Sequence, residues 1–194
     1  MSNYIEVING SKILINDSWH NLSLKQKISS IYLNNNYYTI QKSNTTDIVF
    51  LCCYTPSCIF HAINYETVAY FYTKYSGTFD AYIYGEQTSY TGNGLAVYNA
   101  SGAEIFNSNL KYLKILDYKH NYGTYSYSNK IGVYSDISWQ EDISGNMISR
   151  TAYKMPTTSS VQMMNDPNID WDGESDPGPS LGNNTILIAN VDNV

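Results

Sequence analysis

Short runs of β-favouring residues, cut at intervals of roughly 8 to 12 residues by turn-forming clusters, narrow the folds open to this chain more than any other feature. Tyr4 to Val7 and Lys12 to Ile15 flank Asn9-Gly10, a dipeptide that supplies the positive φ of a tight hairpin turn. Tyr37 to Gln41, Asp47 to Tyr54, Ile59 to Ile63, Thr67 to Thr73 and Thr78 to Tyr84 read as further strands, broken by stretches such as Ser43-Asn44-Thr45-Thr46 and Ser76-Gly77. The series continues through Leu95 to Tyr98, Glu104 to Phe106, Lys111 to Leu116, Tyr122 to Tyr127 and Lys130 to Tyr134. Residues 22–33 fit either a strand pair or one short helix, and no segment sustains a helical period. The expectation is an all-β protein, an antiparallel β-sandwich. Jelly-roll and immunoglobulin-like arrangements remain undistinguished.

A chain of 194 residues is long enough for one sizeable core. We expect a single sandwich domain over residues 1–194, with a long loop at about 156–184 and a C-terminal strand over 185–191. The alternative is a split near 90–94. The segment from Met155 through this loop carries Met155, Val161, Met163, Met164, Ile169 and Trp171, too apolar a set for a pure linker, and is expected to pack on its own domain or on a neighbouring subunit.

Charge excludes several function classes. Seventeen acidic residues against 11 basic ones give a net charge of −6, so no electrostatic footprint for nucleic acid or for an anionic membrane surface is present. The longest apolar run, Ile48 to Tyr54, is far too short to span a bilayer. Met1-Ser2-Asn3-Tyr4 lacks the positive start of a secretory signal, so synthesis in a cytoplasm without export by that route is expected. Cys52, Cys53 and Cys58 form no zinc-knuckle spacing even with His61 nearby, and read as small apolar residues of a buried strand and its turn.

An internal repeat organises the chain. Tyr4-Ile5-Glu6-Val7-Ile8-Asn9 is echoed by Gly94-Leu95-Ala96-Val97-Tyr98-Asn99, each followed by a turn glycine, Gly10 and Gly102. Ile13-Leu14 then matches Ile105-Phe106, and Trp19, Leu22 and Leu24 fall against Leu110, Leu113 and Ile115. This pattern predicts a duplicated hairpin followed by a third strand, one copy in each sheet of a sandwich.

The second copy, Gly94 to Ser108, resembles a signature of small tail-associated proteins of tailed bacteriophages: Gly-Leu-x-Val-x-Asn, a short turn to Gly, an apolar pair, then Asp-Ser or Asn-Ser. Such proteins also tend to end in an apolar strand, as Thr185-Ile186-Leu187-Ile188-Ala189-Asn190-Val191 does. The resemblance implies a virion structural protein of the tail tip or fibre region, acting in tail assembly and host adsorption and carrying no known chemistry. Its partners would be other phage tail proteins, further copies of itself in a homo-oligomer, and a host-surface receptor or glycan.

Candidate site residues follow from side-chain chemistry. With His20, His61 and His120 as the only histidines, and no nucleophile elbow, phosphate loop or His-Glu-x-x-His, the chain is expected not to be an enzyme, and no catalytic residue is assigned. A hydrolase of surface polysaccharide is the weakest reading. The alternation in Thr78 to Tyr84 sets Phe79, Ala81 and Ile83 on one face and Asp80, Tyr82 and Tyr84 on the other, which is expected to face outward. Tyr82 and Tyr84, with Trp139, are therefore candidates for stacking on a sugar ring; cross-strand aromatic packing is the alternative role for a chain with 20 tyrosines. Asp170-Trp171-Asp172-Gly173-Glu174-Ser175-Asp176 alternates carboxylates around a glycine. Asp170, Asp172, Glu174 and Asp176 are accordingly candidate ligands for Ca²⁺, the one cofactor considered, with a solvated loop as the alternative.

Overall fold

The computed structural model describes residues 7–9, 12–15, 22–64, 66–86, 94–98, 101–102, 104–136, 140–141, 147–148, 151–165, 185–192 and 194. Among them there are strands and turns and no helix. A hairpin of β1 (Val7–Asn9) and β2 (Lys12–Ile15) leads into six strands: β3 (Ser23–Leu33), β4 (Tyr37–Gln41), β5 (Ile48–Cys53), β6 (Ile59–Asn64), β7 (Val68–Thr73) and β8 (Gly77–Gly85). A second hairpin of β9 (Ala96–Tyr98) and β10 (Glu104–Asn107) leads into β11 (Lys114–Lys119), β12 (Gly123–Ser126) and β13 (Ile131–Asp136). A short pair, β14 (Gln140–Glu141) and β15 (Met147–Ile148), precedes β16 (Thr151–Thr157), β17 (Ser160–Asn165) and β18 (Thr185–Asn190).

Two six-stranded antiparallel sheets, ordered β11-β18-β13-β5-β8-β3 and β12-β17-β16-β6-β7-β4, pack face to face, so the protein is an antiparallel β-sandwich. Strand chemistry explains each place. β7 buries every second residue (Ala69, Phe71, Thr73), the pattern of a strand with one covered face. β5, an uninterrupted apolar run, is buried on both faces and sits inside its sheet. Between the sheets Phe79 meets Phe60 edge-on with centroids 5.3 Å apart and Phe71 at 5.6 Å. Leu51, Val133, Ile188, Tyr153 and Met163 complete this inner core.

The strand order is a duplication. The first half contributes β5-β8-β3 and β6-β7-β4, and the second contributes β13-β18-β11 and β16-β17-β12 in the same arrangement. The halves join where Leu51 of β5 faces Val133 of β13 and where Phe60 of β6 faces Tyr153 of β16, which puts a pseudo-two-fold axis through both sheets. A third contact obeys the same symmetry. Ser23 and Tyr112, at the N-terminal ends of β3 and β11, form an antiparallel bridge flanked by Leu24 N–H to Lys111 O and Leu113 N–H to Leu22 O, both 2.8 Å.

The two expected hairpins are present, each with a one-residue register shift in its pairing. Three expectations need correcting. The strands that follow the hairpins do not divide between the sheets: β3 and β11 are opposite edges of one sheet, because the two-fold runs through each sheet and maps it onto itself. Residues 22–33 are neither a strand pair nor a helix but are mostly one 11-residue strand, β3, whose bulges absorb the irregular apolar spacing. The expected loop at 156–184 begins too early. β16 runs to Thr157, a turn follows at Thr158 and Ser159, and β17 buries Val161 and Met163 on the inner face, so residues 160–165 are strand. Residues 166–184 lie outside the described residues, with the carboxylates Asp170, Asp172, Glu174 and Asp176, as does Trp139.

Candidate functional site

The outer face of the β5 sheet is where the alternation argument fails. Ile48, Phe50 and Cys52 share it with Asp80, Tyr82 and Tyr84, to which they are paired. Tyr82 and Tyr84 were expected to stand outward, yet both are 0 % exposed and offer no stacking surface. The edges of this sheet meet at the Ser23–Tyr112 bridge, and Leu22, Leu113 and Leu116 pack against the core, so a face that period-2 alternation assigns to solvent becomes a second buried layer. Phe50 lies edge-on to Tyr84 at 5.8 Å within it.

A polar cluster seals one end of this layer. Asp80 is almost fully buried, and Tyr54 O–H donates to its Oδ2 at 2.7 Å and Tyr82 O–H at 3.3 Å. The amide of Ser30 donates to Oδ1 at 3.1 Å from a bulge of β3 where φ is 60°. Lys27 and Lys130 bring their ammonium groups to 3.7 and 3.8 Å from Oδ2 and lie over the Tyr82 ring at 5.3 and 5.5 Å. Lys130 also donates to the hydroxyls of Tyr82, at 2.8 Å, and Tyr54. Burial opposes the Asp80 charge, but the Tyr54 and Ser30 hydrogen bonds with the two ammonium groups outweigh it and lower the carboxyl pKa. Burial alone would lower Lys130; its bond to Tyr54 and the charge of Asp80 raise it instead. Burial raises the Tyr54 hydroxyl, keeping it a neutral donor. The ionised acid is thus locked among its partners, an arrangement for positioning side chains rather than moving protons.

What the cluster positions is Tyr54. Its ring is 40 % exposed, lies beneath Lys130 Nζ at 4.8 Å, and is pinned at its hydroxyl by Asp80 and Lys130. Its amide bonds to Thr78 O at 2.8 Å, and Thr78 in turn pairs with Tyr32, 65 % exposed, on β3. Tyr75 in the β7–β8 turn (52 %) and Tyr37 at the start of β4 (61 %) emerge at the same end, where β3, β5 and β7 finish and β4, β6 and β8 begin. Four exposed tyrosines therefore lie at the same end of the first half, Tyr32 and Tyr54 on the β5 sheet and Tyr37 on the other sheet. A ring held as Tyr54 is can stack on a sugar or on an apolar protein surface. Sequence reasoning missed Tyr54, Tyr32, Tyr37 and Tyr75 as a group because they belong to four separate strand ends. The one signal was Asp80, a carboxylate inside an apolar strand that demands buried partners.

The residues of the repeat signature serve the second hairpin. Ser108 Oγ accepts from Leu95 N–H at 2.9 Å, Asn107 Oδ1 accepts from Asn109 N–H at 3.0 Å, and Phe106 stacks on Tyr112 at 5.4 Å. Leu95 and Tyr98 are left exposed on this hairpin. Among the described residues no group of three or more His, Cys, Asp or Glu side chains could hold a metal ion. No family model, curated protein or solved structure matches the chain.

Proposed function

We propose that the protein is a virion component of the tail tip or fibre region of a tailed bacteriophage, serving tail assembly and host adsorption. The observation that carries the adsorption role is the pinned, exposed Tyr54 at the end of the sandwich where Tyr32, Tyr37 and Tyr75 are also exposed. A host-surface glycan or receptor would meet the protein there through ring stacking. The resemblance of Gly94 to Ser108 supports the virion assignment, and the exposed Leu95 and Tyr98 on that hairpin suit contact with neighbouring tail proteins or further copies of the chain. A receptor- or carbohydrate-binding adhesin module is the second reading, favoured by the same tyrosines. Hydrolysis is the weakest, because Asp80 is ionised and fully engaged.

The test is sedimentation of the purified protein with intact host cells, alongside its solution mass by light scattering. Binding that falls at least tenfold in Tyr54→Ala/Tyr32→Ala, with oligomeric state unchanged, supports adsorption through this end. A wild-type protein that ignores cells yet assembles with tail proteins removes the adsorption role and leaves assembly. A monomer that binds free polysaccharide and no tail protein favours the second reading.

A further inference from the structure

The turn that carries Tyr54 lies between two cysteines that converge on one carbonyl. Cys53 ends β5 on the inner face, opposite Phe79, and its Sγ contacts Thr55 O at 3.6 Å. Cys58 donates its amide to the same Thr55 carbonyl at 3.0 Å, closing a tight turn that sets the two thiols near enough to perturb each other's ionisation. Both are buried, Cys58 with its thiol also 3.5 Å from Tyr75 O. Cys52 is the third cysteine. Strand alternation points it to the opposite face, opposite Asp80 and away from the other two, where burial pushes its thiol up to about 12. The pair is therefore selected by geometry from three thiols.

We propose that Cys53 and Cys58 are a disulfide-forming pair, a modification site that closes the 54–57 turn when the protein meets an oxidising low-molecular-weight disulfide. The Cys53 thiolate attacks one sulfur of R–S–S–R, expelling R–S⁻ and forming a mixed disulfide. Cys58 then loses its proton and displaces the second R–S⁻, giving Cys53–S–S–Cys58 and two R–SH in all. The neighbouring Cys58 thiol lowers the Cys53 thiol and fits it for the first attack, while the same closeness raises Cys58, the resolving thiol. Both thiols are buried, so the oxidant reaches them when the turn, in which Tyr54, Pro56 and Ser57 are exposed, opens locally. In a reducing cytoplasm the pair stays as thiols, and oxidation follows release into an oxidising medium. The linkage would fix the turn that sets Tyr54 in place; its formation does not rest on the adsorption reading.

Incubation of the intact chain with glutathione disulfide, followed by alkylation in denaturant and peptide mapping, decides the matter. The expected result is a fall from three alkylated cysteines to one, loss of two hydrogens from the intact mass, and a cross-link joining Cys53 to Cys58 with Cys52 alkylated. Cys52→Ala should oxidise as the wild type does, and Cys58→Ser should stop at a glutathione adduct on Cys53. Three alkylated cysteines after oxidation, a bridge that includes Cys52, or an intermolecular linkage would overturn the proposal, and the wild-type map alone suffices if a variant fails to fold. No host cell or glycan enters the assay, so its failure leaves the adsorption reading untouched.

Discussion

In the first half of the sandwich the outer face of the β5 sheet carries rings, Phe50, Tyr82 and Tyr84; at matching positions the second half carries Gly132, Ala189 and Val191. The correspondence follows from the registers, since Leu51 and Val133 face each other across the two-fold and the strands beside them carry it outward. Asp80 then matches Leu187, Asp47 matches Asn129, and Gly85 matches Asp192. A dimer of identical chains would have to place the same side chain at both positions near such an axis. One chain holding both copies is free of that rule. Phe50 lies over the position of Gly132, where an added Cβ would sit 2.9 Å from Phe50 Cβ and 3.0 Å from Val191 Cγ1. Phe50 of one half is thus seated on Gly132 of the other, beside Tyr134 at 5.8 Å.

Restoring symmetry is the harshest way to break this comparison. Gly132→Phe would set a second ring where Phe50 already lies, and loss of cooperative unfolding is expected in urea melts followed by tryptophan fluorescence. Gly132→Ala should cost about 1–3 kcal/mol through overpacking. Near-wild-type stability of the Phe variant would show that the two faces are not complementary in this sense.

The halves also place an acid at different strand ends, Asp47 buried before β5 and Asp192 partly buried after β18. In the first, Asp47 enters from the turn before β5, paired with Lys25 at 2.9 Å and bonded to Ser43 Oγ at 2.9 Å and Asn44 N–H at 3.1 Å. Gly85 leaves it room, as a Cβ there would fall 1.9 Å from Asp47 Oδ1. In the second, Asp192 occupies the Gly85 position and accepts from Asn129 Nδ2 and Lys130 N–H, both at 3.0 Å. Gly85→Ala should therefore displace the Asp47 carboxylate from its partners and cost about 3 kcal/mol. The pair Asp47→Asn/Gly85→Asp copies the second half and should regain at least half of that loss. A double variant no better than the single would mean that the matching positions are not equivalent.

Asp80 against Leu187 is the sharpest chemical contrast. Removing the carboxylate alone, in Asp80→Ala, leaves Lys27 and Lys130 without this counter-ion and the Tyr54 hydroxyl without its acceptor, and should cost about 2 kcal/mol, less than for a fully buried pair because both lysines reach solvent. The pH dependence has a definite sign. With its folded pKa lowered, Asp80 contributes stability that is present above the ordinary carboxylate pKa of about 3.9 and is lost as pH falls through the folded value. Acid titration of wild type against Asp80→Asn should show a shallower loss of stability in the variant, and parallel curves would detach Asp80 from the acid limb.

Which parts of this fold could be read from the residues follows from what each inference needs. Turn chemistry and alternation are local, so the hairpins, most strands and the sandwich class were legible. The repeat was visible only at the hairpins, because strands further on kept their order while exchanging Asp80 for Leu187 and Phe50 for Gly132, which erases side-chain similarity without altering the pairing. Tyr82 and Tyr84 misled for a related reason: alternation reports which residues share a face, and whether that face meets water depends on the Ser23–Tyr112 bridge between segments far apart in sequence. Tyr54 was obscured by lying past a strand end, with its partner Lys130 far along the chain.

The mildest substitution tests the comparison at Tyr84. Its hydroxyl is buried without a hydrogen-bond partner, and burial pushes its pKa up to about 12, whereas its counterpart Val191 has no polar atom to satisfy. A hydroxyl that loses water and gains no partner is a penalty of the folded state. The ring, by contrast, has a role, packing edge-on against Phe50 at 5.8 Å. Tyr84→Phe keeps that contact and removes only the stranded oxygen, so it should raise stability by about 1 kcal/mol, read as a higher urea midpoint at unchanged slope. Tyr84→Val, which copies the second half outright, should lower stability instead, because it removes the ring that packs edge-on against Phe50. If Phe destabilises, the hydroxyl has a partner in solution and the first half's outer layer is wetter than its packing indicates. If Val is tolerated, the ring-on-small asymmetry is a record of the chain's divergence and not a requirement of its fold.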